Sequence, residues 1–84
     1  MEKQITLAEL FQVIAQCMEH NQQQSNECFS FSFYHRSLDV YYFEHGYQIN
    51  EMNLNDADEN VQIEFANSAS ISEGYWFLRK HLDA

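Results

Sequence analysis

Cys17, His20, Cys28 and His35 are the residue types that bind zinc, and they follow one another as C-x2-H-x7-C-x6-H. Tetrahedral zinc needs all four donors to converge. Cys17 and His20 can share a helical face at i, i+3. Cys28 and His35 fall on opposite faces of the strand that their alternating segment predicts, so the set does not close. Core thiols and surface histidines are the simpler assignment. A calcium loop starting at Asp56 would place Asp58 and Asn60 at its third and fifth positions. Val61 and Asn67 then stand where that motif needs Gly and Glu. Cys17 with His20, or His35 with Asp39, could form nucleophile–base or base–orienter pairs. No third member, oxyanion turn or phosphate-cradling loop accompanies them, and Gly46 and Gly74 are the only glycines. The expectation is a non-enzyme with no metal and no cofactor.

The acids are the stronger signal. Thirteen Asp and Glu stand against four Lys and Arg, a net charge of -9 over 84 residues. The cations are Lys3, Arg36, Arg79 and Lys80, so none falls between Ser37 and Leu78. That interval holds Asp39, Glu44, Glu51, Asp56, Asp58, Glu59, Glu64 and Glu73. Binding to nucleic acid requires cations that displace phosphate counterions, which argues against direct DNA or RNA contact. Anionic membranes are disfavoured for the same reason. A protein partner with a basic surface is favoured through steering of the encounter.

Elements to position these residues can be drawn from the pattern. The length allows one domain, residues 1–84, and thirteen aromatics supply its core. Thr6 and Glu9 fit a capping box with Ile5 and Leu10 as its staple. Leu7, Leu10, Phe11, Ile14 and Met18 then mark a helical face. "CFSFSFYH" (28–35) alternates, with Phe29, Phe31 and Phe33 on one side. "LDVYYFEH" (38–45) is a second strand after an Arg36–Ser37 turn, and His45–Gly46 turns into a third, "YQINEM" (47–52). "VQIEF" (61–65) is a fourth, with Val61, Ile63 and Phe65 inward. "SISEGYWFLRKHL" (70–82) is the last helix, capped by Ser70 or Ser72, with Arg79, Lys80 and His81 at its C-terminal end. Phe33 would then face Val40, Phe31 would face Tyr42 and Tyr42 would face Ile49. Leu7, Leu10, Phe11, Ile14, Leu78 and Leu82 would cover that face. The expected fold is α+β, an antiparallel sheet of three or four strands packed against an N-terminal and a C-terminal helix, in the order α-β-β-β-β-α.

The opposite sheet face receives Ser30, Ser32, Tyr34, Asp39, Tyr41, Phe43, Gln48, Asn50 and Met52, which has the composition of a binding face unless the final helix or a loop covers it or the register slips by one. Tyr34, Asp39, Tyr41 and Phe43, with Asp56, Asp58, Glu59 and Glu64, are therefore the candidate partner-binding residues. Acids also keep a small protein soluble, but a surface tuned for solubility usually mixes both signs. In size and charge the chain is similar to small phage- or mobile-element-encoded inhibitors of bacterial defence nucleases, including anti-CRISPR proteins. That resemblance is one of composition and assigns no residue. It implies a non-catalytic inhibitor that imitates nucleic-acid charge in the cleft of a basic partner. The alternative is an assembly protein that homodimerises through the aromatic sheet face. No membrane-length apolar run or signal-peptide pattern is present, so a cytoplasmic location is expected.

Overall fold

Thr6 and Glu9 close the start of α1 (Leu7–Gln23) reciprocally. The Glu9 N–H donates to Thr6 Oγ1 at 3.1 Å, and the Thr6 N–H donates to Glu9 Oε1 at 3.2 Å. Donors that the first helical turn would otherwise leave unpaired are thereby satisfied. Ile5 and Leu10 are both buried, so the staple forms as well. The computed structural model describes residues 4–23, 27–47 and 57–83. In it, α1 is rolled relative to the expected stripe. Leu10, Val13, Ile14 and Cys17 face inward, while Leu7, Phe11 and Met18 lie exposed on the flank. Positions 10, 13, 14 and 17 also form a continuous helical face. Their smaller members, Val13 and Cys17, suit a helix lying close to its neighbours.

Among the described residues three antiparallel strands follow, β1 (Glu27–Phe33), β2 (Ser37–Tyr47) and β3 (Glu59–Glu64), in spatial order β1-β2-β3. The β1–β2 turn is His35–Arg36, closed by the Tyr34 N–H on the Ser37 carbonyl at 2.8 Å. It falls one residue earlier than expected, so the register moves by two. Phe31 faces Val40, Phe29 faces Tyr42 and Phe33 faces Leu38. A shift of two preserves which side chains share a face. The expected turn at His45–Gly46 is absent, because β2 runs through both residues to pair Tyr47 with Glu27. Gly46, at φ 75°, serves a bulge instead. Between the pairs Phe29–Tyr42 and Glu27–Tyr47, β1 has only Cys28 while β2 has residues 43 to 46. A left-handed glycine suits a bulge as well as a hairpin, so local sequence does not separate the two. The remainder of the expected third strand, residues 48–52, lies outside the described residues.

The last helix, α2 (Ser68–Leu82), starts earlier than expected. Asn67 is its cap, with Oδ1 accepting from the N–H groups of Ala69 (3.0 Å) and Ser70 (3.2 Å). Arg79, Lys80 and His81 occupy its final turn as expected. The fold is a small α+β unit in which both helices contribute to the core on one face of the sheet. Ile5, Leu10, Val13, Ile14 and Cys17 meet Phe29, Leu38, Val40 and Ile63 from the strands and Ile71 and Leu78 from α2. Phe31, Tyr42, Val61, Phe65 and Leu82 pack around this cluster, half-buried. Phe33, expected inside, is exposed at the end of the edge strand. Among the described residues no helix is long and apolar enough to cross a membrane.

Candidate functional site

With the core on one side, strand alternation sends the other set of side chains to the opposite face. The register aligns Ser32, Asp39 and Gln62 in one cross-strand row and Ser30, Tyr41 and Asn60 in the next. Ser37 and Glu64 pair at the end of β3. A groove of about 300 Å³ runs between Asp39, Tyr41, Asn60, Val61 and Gln62. Tyr34 stands exposed beside the β1–β2 turn. Ser30 is buried, so the accessible part of the face presents Tyr41, Asn60 and Gln62 around Asp39 and Glu64.

Of the three described cations, Arg79 and Lys80 lie on α2, and Arg36 adjoins the Ser37–Glu64 end of this face. Arg79 bridges Asp83 at 3.0 Å and donates to Gln16 at 3.0 Å, and Lys80 approaches Glu59 at 3.5 Å. All of these contacts involve the helices. Arg36 occupies the exposed turn. This face carries acids with no cation in its cross-strand rows.

The expected binding residues divide. Asp39, Tyr41, Tyr34 and Glu64 are gathered on or beside this face. Phe43 has the right strand parity but is only 5 % exposed and stands outside the main core cluster, so it offers no ring to a partner. Asp56 lies outside the described residues. Asp58 holds the fold together: its Oδ2 accepts from the Glu44 N–H at 2.6 Å, and its own N–H donates to the Tyr42 carbonyl at 2.9 Å. These bonds pin the bulged part of β2 to the entry of β3. Glu59 sits on the helical side against Lys80 and His81.

That last contact belongs to a cluster no sequence spacing announces. The His81 ring stacks on Tyr42 at 3.9 Å and meets Phe77 edge-on at 4.8 Å. Its Nε2 lies 2.6 Å from Glu59 Oε2 without the alignment of a hydrogen bond, a contact that becomes an ion pair only when the imidazole is protonated. Burial holds the His81 pKa below its ordinary value, against the opposing pull of Glu59 and with some help from Lys80. Burial also raises the Tyr42 phenol, aided by Cys28 and the carboxylates of Glu44, Asp58 and Glu59.

The residues first considered for zinc or nucleophilic chemistry are spread through the fold. Cys17 is a core residue whose thiol is pushed up to about 12 by burial, partly offset by Arg79. A thiol so protonated acts as a small hydrophobe and not as a nucleophile. Cys28 is half-buried and also raised by burial. His20 packs edge-on against Phe29 at 5.9 Å, and His35 is in the exposed turn. Among the described residues no group of three or more His, Cys, Asp or Glu side chains converges as metal ligands would. No family model, curated protein or solved structure matches the chain.

Proposed function

We propose that this is a non-catalytic acidic binding protein that inhibits a basic, nucleic-acid-handling protein by occupying its cleft in place of nucleic acid. The observation that carries the reading is the sheet face opposite the core, where Asp39 lines a groove with Tyr41, Asn60 and Gln62, Glu64 follows on the same face, and the nearest described cation is Arg36 in the β1–β2 turn. Acids on a rigid sheet hold fixed spacings, as phosphates on a backbone do, and a basic cleft would be steered toward them. Tyr41 and Tyr34 supply aromatic area for desolvated contact, the type of residue that dominates binding energy at interfaces.

Affinity capture from a bacterial lysate, eluted first with duplex DNA or RNA and then with salt, tests the reading. The expected result is a nuclease, polymerase or regulator displaced by nucleic acid. Capture of proteins that nucleic acid does not displace would overturn the mimicry. With the partner in hand, Asp39→Asn with Glu64→Gln should slow association about 3–10-fold at low salt and flatten its salt dependence, while leaving dissociation nearly unchanged. Asp58 and Glu59 are unsuitable for this test, because their removal would disturb the fold.

A further inference from the structure

We draw no further inference here: the strongest candidate, the apolar groove between α1 and the β1 edge lined by Met18, Asn21, Phe29, Phe31 and Phe33, carries nothing, because nothing in the structure shows what covers it.

Discussion

Gly74 lies inside α2, where glycine costs about 1 kcal/mol relative to alanine. Its value is the close seat of α2 on β3, because a Cβ there would overlap Cδ1 and Cγ1 of Ile63. Gly74→Ala should therefore lower stability by about 1–3 kcal/mol despite its better helix propensity. Adding Ile63→Val, which removes Cδ1, should recover part of the loss in urea unfolding. A stabilised Gly74→Ala would mean that the helix can shift at little cost. No helical spacing revealed this contact, since it depends on which strand α2 meets. The division among the acids was nearer the surface of the sequence. If Val61, Ile63 and Phe65 point inward, alternation already puts Glu59 on their side and Glu64 on the other. Treating "DADENVQIE" as a block of charge hid that distinction. Phe43 and Asp58 gave no such signal, because the bulge in β2 determines their surroundings.

α2 is held to the sheet at both ends by polar contacts, Ser70 near its start and His81 near its finish. The His81 contact makes that attachment sensitive to pH. Burial depresses the folded-state pKa below the ordinary value of 6.5, so the unfolded chain binds this proton more tightly. The contribution of His81 to stability is complete well above pH 6.5 and declines as pH falls through 6.5 toward the folded value. Glu59 on β3, Tyr42 on β2 and Lys80 on α2 surround the imidazole, and the Glu59 carboxylate moderates the decline without reversing it. Urea midpoints between pH 7.5 and 5.5 should fall in wild type and fall less in His81→Gln, even if the variant starts lower through loss of the stack on Tyr42. An equal slope in both proteins would assign the acid sensitivity to other groups. At this scale much of the fold was legible. The capping box placed α1, and alternation found β1 and β3. Boundaries were lost where several residues could do the same work. Asn67, Ser68, Ser70 and Ser72 can all cap a helix, and the position of α2 against Gln62 and Glu64 recruits Ser70 elsewhere. Gly46 likewise permits a turn or a bulge, and pairing of Tyr47 with Glu27 decides.

The charge of the whole molecule opposes its own compactness, because net charge far from zero works against a folded chain. The ion pairs Arg79–Asp83 and Lys80–Glu59 are exposed and offset little of that. Raising NaCl from about 0.02 to 0.3 M should consequently increase Tm by a few degrees, each kcal/mol of relieved repulsion corresponding to about 4–8 °C in a chain this size. A fall in Tm would mean that the ion pairs outweigh the repulsion. The face opposite the core allows a sharper form of the same measurement. Asp39→Asn with Glu64→Gln removes two negative charges from a surface where, among the described residues, no ion pair or side-chain hydrogen bond uses either carboxylate. Its Tm at low salt should equal or exceed that of wild type, and the gain should shrink as salt rises. Acids that weaken the fold at these two positions would support the proposed role in binding a basic partner. If the same substitutions instead lowered Tm at every salt concentration, the carboxylates would be structural and the argument for mimicry would lose its main support.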